Sequence, residues 1–448
     1  MAAARAVRAA ERAMKRALIL GGGTAGTIMA NKLVEALGSH GWQVTAVDRD
    51  DAHIYQPGLL FIPFGMYTAE EVVRPRTRYF DPRVELVLGE FTRVDTDARQ
   101  VHLTSGRVLD YDVLIVATGS EIRPEKTPGL TGVGWRDTAF DFYTLDGAVA
   151  LREKLARFTE GTLLLNVVEM PIKCPVAPLE FLFLAESFFR ARGLHDKVEV
   201  AFATPLEGAF TKPRASALLG DMLQRRGITV IPDFSASEVD GAARTLKSYD
   251  GREVRYDLLV TIPLHAGNAG LEGSGLTDGG GWVRTHKHTL QSLVKPEVFA
   301  IGDCTDLPSS KAGAVAHFQA DVLIENVRRF VEGRALSEGF DGHANCFIET
   351  GDDKAVLIDF NYTTEPLPGR FPLPGVGPFT LLEESVTNHL GKLAFKWVYW
   401  NLLLSGKEFP LDHRMLMAGK WEWPGTRRRT PQTPCSRAST PSTRASPR

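Results

Sequence analysis

Two stretches place a cysteine in a setting unlike core packing. In 166-NVVEMPIKCPVAPLE-180, Cys174 stands among Pro171, Pro175 and Pro178, and in 342-GHANCFIETG-351, Cys346 lies in a polar, glycine-flanked frame. A thiolate is a nucleophile and takes part in thiol–disulfide exchange, so either residue suits redox chemistry. Taken singly, each is equally compatible with a buried small hydrophobe. Chemistry at a thiol also needs proton management. Glu169, His265 in 261-TIPLHAG-267 and His317 in 312-AGAVAHFQA-320 are the candidate acid–base groups, histidine because it titrates near neutral pH. Four cysteines without a CxxC pair make neither a disulfide framework nor a zinc centre, and no metal is expected.

The elements that must position these groups are legible around them. The run 17-ALIL-20 reads as a buried strand and 27-TIMANKLVEAL-37 as a helix, joined by 21-GGGTAG-26. Gly21, Gly23 and Gly26 supply the G-x-G-x-x-G spacing, with Thr24 and Ala25 inside it. Bare backbone there lets a pyrophosphate approach a helix N-terminus. A second strand, 43-QVTAVD-48, delivers Asp48 for a ribose hydroxyl. Two later strands end in polar turns: 111-YDVLIVATGS-120 in Ala117, Thr118 and Gly119, and 298-VFAIGD-303 in Gly302 and Asp303. The cysteine stretch at 166–180 occupies the turn of a second strand–turn–helix unit. It holds Val167, Val168, Glu169 and Met170 where a second pyrophosphate needs glycine, and its prolines remove amide donors. Nicotinamide binding at that turn is therefore disfavoured.

An ATG segment followed far downstream by AIGD resembles the two-dinucleotide-domain flavoproteins, in which the first glycine turn holds FAD. Within that group, 173-KCPVAP-178 and 342-GHANCFIETG-351 resemble the cysteine segments of the sulfide:quinone oxidoreductase family, related to flavocytochrome c sulfide dehydrogenases and type II NADH dehydrogenases. The resemblance covers almost all of residues 16–422. It implies that Cys174 and Cys346, 172 positions apart, meet beside FAD as a redox pair attacked by sulfide, and that a membrane quinone takes the electrons. It also implies that 389-HLGKLAFKW-397 closes the quinone site, with Lys392 near the flavin, and that the helix of His317 runs toward the flavin pyrimidine ring. Many relatives carry a third cysteine after ATG. The stretch 135-WRDTAFDFYTLDG-147 has none, which points to noncovalent FAD and a two-cysteine centre. Cys304 matches no redox position and is expected as a packed thiol near the cofactor, and Cys435 lies in the tail.

Fold class follows as α/β, with two Rossmann-like three-layer domains and a C-terminal capping domain with amphipathic helices. The expected boundaries are 15–150 with 290–340 for FAD, 151–289 for the degenerate second domain, 341–424 for the flavin cap and 425–448 for a disordered tail. A chain of 448 residues with net charge −2, 44% hydrophobic and 24% charged residues, is ordinary globular protein and has no overall basic surface for nucleic acid. The amino end reads as an extra helical turn rather than a secretory signal. No apolar run reaches the roughly 20 residues of a membrane span. Aromatic and apolar residues interleaved with lysine over 385–410 suit an interfacial helix, hence a peripheral membrane location on an undetermined or cytoplasmic face. Homo-oligomerisation is compatible with the same surface. The leading reading is sulfide:quinone oxidoreductase. Others are a type II NADH:quinone oxidoreductase, a cytochrome-linked sulfide dehydrogenase, and a non-catalytic flavin-bearing membrane scaffold.

Overall fold

The structure, a computed structural model, describes residues 14–372, 377–407 and 412–421. The expected tail at 425–448, with Cys435, and the first thirteen residues lie outside the described residues.

The first unit opens with β1 (Lys15–Leu20), α1 (Thr24–Leu37), β2 (Trp42–Asp48), β3 (Glu85–Leu88) and β4 (Val113–Val116). The second comprises β5 (Ala139–Phe140), α2 (Leu145–Arg157), β6 (Gly161–Val167), α3 (Ala177–Ala191), β7 (Val198–Ala203), α4 (Pro213–Arg225), β8 (Thr229–Ile231) and β9 (Leu258–Ile262). The chain then returns to the first unit through β10 (Val298–Ala300) and α5 (Gly313–Val331). Each unit is a five-stranded parallel sheet, in the orders β10-β4-β1-β2-β3 and β5-β9-β6-β7-β8.

The near-continuous apolar runs of these strands follow from burial on both faces. Alternate side chains enter separate cores. Ala17 and Ile19 of β1 pack with Ile28 and Leu33 of α1 and Phe318 of α5, whereas Leu18 and Leu20 meet Val94, Val101 and Leu103 of a small antiparallel sheet. The second unit repeats the arrangement. Leu163 and Leu165 of β6 face Leu182 and Phe189 of α3, and Leu164 faces Val239 and Leu246 of another antiparallel sheet. Both units therefore have three layers: helices, parallel sheet and antiparallel sheet.

The third region contains β11 (Ala344–Gly351), β12 (Lys354–Phe360), β13 (Gly369–Phe371), β14 (Phe379–Leu381) and α6 (Val386–Val398), which runs on into a wider turn at Tyr399–Leu403. Its sheet has the order β11-β12-β14-β13 and mixes antiparallel and parallel pairs. The sequence reading stressed amphipathic helices here, yet the sheet is the larger part. Its two longest strands, β11 and β12, form a hairpin buried in nearly continuous runs, which leaves little alternation to read. No helix among the described residues is long and apolar enough to cross a membrane.

Candidate active site

One long cleft collects the carboxyl ends of both parallel sheets and part of α6. Its first end is the glycine turn. Gly21 holds a left-handed φ of +95°, and a Cβ on Gly26 would overlap the Gly21 carbonyl oxygen, so neither position accepts a side chain without displacing backbone. Gly23 precedes α1 and faces open space within 4 Å, as close approach of a pyrophosphate requires. Asp48 ends β2 and accepts from Gly22 N at 2.6 Å, while Arg76, itself buried, stands 3.1 Å from it. Arg76, which also lines the cleft, donates to the Gly22 carbonyl and to the Asp50 and Ala52 carbonyls at 2.9 and 2.8 Å, fixing the turn.

The middle of the cleft is lined by Ala117, Thr118, Gly119, Ser120, Gly302 and Asp303. The Thr118 and Ser120 hydroxyls are buried with no hydrogen-bond partner in the protein. Lys173 and Lys311 line the same region, and burial holds both below the usual lysine range, opposed by the nearby Asp303 carboxylate. Lys311 Nζ donates to the Asp303 and Thr305 carbonyls at 3.0 and 2.6 Å.

The far end of the cleft is where Cys174 lies. Cys174 lines the cleft with a left-handed φ of 49°, and its amide donates to Lys311 O at 2.7 Å, tying the second unit's turn to the first unit. Cys346 on β11 is half-buried, does not line the cleft, and is close enough to Cys174 for the two thiols to influence each other's ionisation. Both cysteines are free. Burial, then the Glu180 carboxylate, pushes the Cys174 thiol up to about 12, against the pull of Lys392. Burial and Cys174 push Cys346 higher still, and Lys392 again opposes.

Glu180 and Lys392 are the charged pair of this end. Lys392 Nζ donates to Glu180 Oε1 at 2.6 Å and to Phe347 O at 2.9 Å, Glu349 N donates to the same Glu180 oxygen at 3.0 Å, and Glu180 Oε2 is buried without a partner. Lys392 sits above the usual lysine range. Burial acts downward, and the carboxylate contact outweighs it.

The remaining sequence candidates divide. Gly21, Gly23, Thr24, Ala25, Asp48, Ala117, Thr118, Gly119, Gly302, Asp303, Lys392 and Cys174 line the cleft. Gly26 does not line it. It packs on Gly21, so its part is to let α1 start close to the turn. Glu169 is exposed and outside the cleft, since the chain turns outward after β6, and it is set aside as a base. His265 is buried behind Tyr143, with their rings 5.3 Å apart, and its Nδ1 lies 2.9 Å from Pro263 O. Burial and the neighbouring Lys173 lower it to about 3, so it stays neutral and does not reach the cleft. His317 is buried on α5, not cleft-lining, and held below its ordinary range chiefly by burial. Cys304 is buried, 3.3 Å from the Val116 and Ile301 carbonyl oxygens. Sequence reasoning missed Arg76, Glu180 and Lys311. Of these only Glu180 left a signal, a carboxylate inside the apolar run 179-LEFLFLAESFF-189.

The signature of the family described as pyridine nucleotide-disulphide oxidoreductase spans residues 15–168 and 184–320, more than half of the chain. The chain belongs to this family. Among curated members it is 28% identical over 398 residues to a mitochondrial sulfide:quinone oxidoreductase of Mus musculus, covering 87% of this chain and 86% of that one. It is also 29% identical over 383 residues to a type II NADH:quinone oxidoreductase of Staphylococcus aureus strain MSSA476, covering 80% and 92%. The solved sulfide:quinone oxidoreductase of Aquifex aeolicus shares the fold, with a TM-score of 0.72 at 17% identity over 88% of this chain and 92% of that one. As a member of this family, the chain has in its cleft what FAD needs: an open glycine turn at a helix N-terminus, an acid at the end of β2, and unpartnered Thr118 and Ser120 hydroxyls at mid-cleft.

Proposed function

We propose that the chain is a sulfide:quinone oxidoreductase that uses noncovalent FAD and a Cys174–Cys346 centre. The observation that carries this reading is Cys174 in the cleft wall, on a turn that lacks the glycines of a second nucleotide site, with Cys346 near enough to act on its ionisation. On this reading residues 15–150 and 290–340 hold FAD, 151–289 form the degenerate second domain, and 341–424 close over the flavin.

In the oxidised centre, hydrosulfide attacks one sulfur of the disulfide, forming a persulfide on that cysteine and releasing the other as thiolate. Burial disfavours that thiolate, and Lys392, which acts downward on both thiols, stabilises it. FAD, held by the glycine turn, Asp48 and the mid-cleft hydroxyls, would supply a two-electron acceptor. Lys173 and Lys311 add positive charge where negative charge develops. Val386, Leu390 and Trp397 are exposed along one side of α6, and this stripe is the part of the chain suited to resting on a membrane and receiving quinone.

The NADH:quinone reading has support from the staphylococcal relative, but the turn after β6 offers side chains where a pyrophosphate needs bare backbone. An anaerobic experiment separates the two. Sulfide, but not NADH, is expected to bleach the oxidised flavin band near about 450 nm. Bleaching by NADH alone overturns the proposal, and bleaching by neither favours a non-catalytic flavin scaffold.

A further inference from the structure

Electron and proton counting leaves the proposed reaction one proton short. Oxidising HS⁻ to sulfane sulfur releases two electrons and one proton, whereas converting quinone to quinol takes up two electrons and two protons. The balanced step is HS⁻ + quinone + H⁺ → S⁰ + quinol, so each turnover draws a proton from bulk water. On the reading above the quinone would occupy the cleft, and buried groups that connect the cleft to the surface would give that proton a route through the protein.

Behind the cleft wall, a set of titratable side chains runs outward. Glu349 on β11 is buried, and His389 on α6 places Nδ1 2.9 and 3.1 Å from its two carboxylate oxygens. The other ring nitrogen of His389 lies 3.8 Å from Asp353, whose side chain is 87% exposed. Toward the cleft, the Glu349 backbone amide and the Lys392 ammonium share one oxygen of Glu180, Glu180 and Lys392 both line the cavity, and the Glu349 carboxyl itself lies within electrostatic reach of both, a step that a bridging water would complete.

We propose, on the reading of the function above, that Glu349 and His389 relay a proton from the surface at Asp353 to the Lys392–Glu180 pair for quinone reduction. The 3.8 Å step is within reach of a bridging water or a rotation of the exposed Asp353. Other charged groups around the relay are accounted for. Tyr67 faces Glu349 and Lys392 from the neighbouring loop, Lys396 lies 3.8 Å over the Tyr67 ring and 3.2 Å from Glu71, and Asp352 is held by Arg190 at 2.6 Å. None of them interrupts the Glu349–His389 contact. Burial raises the Glu349 carboxyl to about 6 against the pull of His389 and Lys392, so it exchanges its proton near neutral pH.

The test uses holoprotein whose flavin has been reduced with dithionite, so that sulfide is not needed, mixed anaerobically with a short-chain quinone across about pH 6 to about pH 9. Glu349→Gln and His389→Ala are expected to slow flavin reoxidation about 10-fold, most strongly at the alkaline end, with added imidazole restoring His389→Ala. A pH-difference infrared spectrum of the wild type should show a carboxyl band titrating near about pH 6 that Glu349→Gln lacks. Variants that reoxidise like the wild type, slowing that imidazole leaves unchanged, or an infrared band that persists in Glu349→Gln overturn the relay. A wild-type reduced flavin that ignores the quinone sinks the quinone reading itself, and the relay with it.

Discussion

The turn after β1 and the turn after β6 hold the same place in two copies of one architecture, yet they face the cleft in different ways. At the first, Gly21, Gly23 and Gly26 strip the backbone of side chains, and Arg76 and Asp48 brace it. At the second, the chain is fastened instead. The Cys174 amide is bonded to Lys311 O, Asn166 Nδ2 donates to Ala203 O at 3.2 Å, and the Cys174 thiol and the Lys173 ammonium line the cleft. Each turn has a buried histidine nearby, His53 at the first and His265 at the second, and burial lowers both to about 3. The same strand–turn–helix arrangement thus serves once as a bare-backbone turn and once as a wall lined by side chains, and the residues between strand and helix decide which.

Substitutions at the two turns should break this contrast in different ways. The largest effect is expected at the first. Gly26→Val drives a side chain into the Gly21 carbonyl, and purified protein should carry no flavin by absorbance. At the second turn the cofactor should survive and the chemistry should not. Cys174→Ser and Cys346→Ser are expected to keep full flavin content while sulfide bleaching slows about 1000-fold in stopped flow, and rapid bleaching in either variant removes that cysteine from the reaction.

Lys392→Met leaves Glu180 buried and unpaired, which costs roughly 3 kcal/mol in denaturant unfolding. Restoration by the double change Glu180→Gln with Lys392→Met would show that the lost stability belongs to the pair. The smallest effect concerns the histidines. Their folded values lie below the unfolded one, so the unfolded chain binds more protons between about pH 6.5 and about pH 3, and stability falls as pH drops through that window. Each contributes about 2 kcal/mol of loss at pH 5. His265→Asn should flatten the acid side of a melting-temperature profile by its share. Glu349, raised to about 6, acts in the opposite sense and gains stability as pH falls.

The parts legible in the sequence were those whose logic is local. The glycine spacing, the acid closing β2 and the two polar strand ends are each specified within a few residues, and their side chains and backbone meet in one cleft. The proline-framed Cys174 was legible because it breaks a pattern the topology leads one to expect. What stayed hidden depends on contacts between remote segments. Glu180 acquires meaning only from Lys392, 212 positions away, and Glu349 from His389 on a helix that packs beside its strand. Glu169 misled for the converse reason: its position beside the turn is local, but its exposure is set by how the chain leaves β6. In 385–410, a single amphipathic stripe was expected, yet Trp400 and Leu404 turn inward while Trp397 stays outside, because the helix widens at Tyr399.

Tyr399 also donates to or accepts from Thr24 at 2.7 Å and lies at the same distance from His53 Nε2, joining positions 375 residues apart at the rim of the nucleotide turn. A stop codon between residues 332 and 385 therefore does more than shorten the polypeptide. It deletes one side of the vessel, leaving two intact sheets with nothing to hold their contents in.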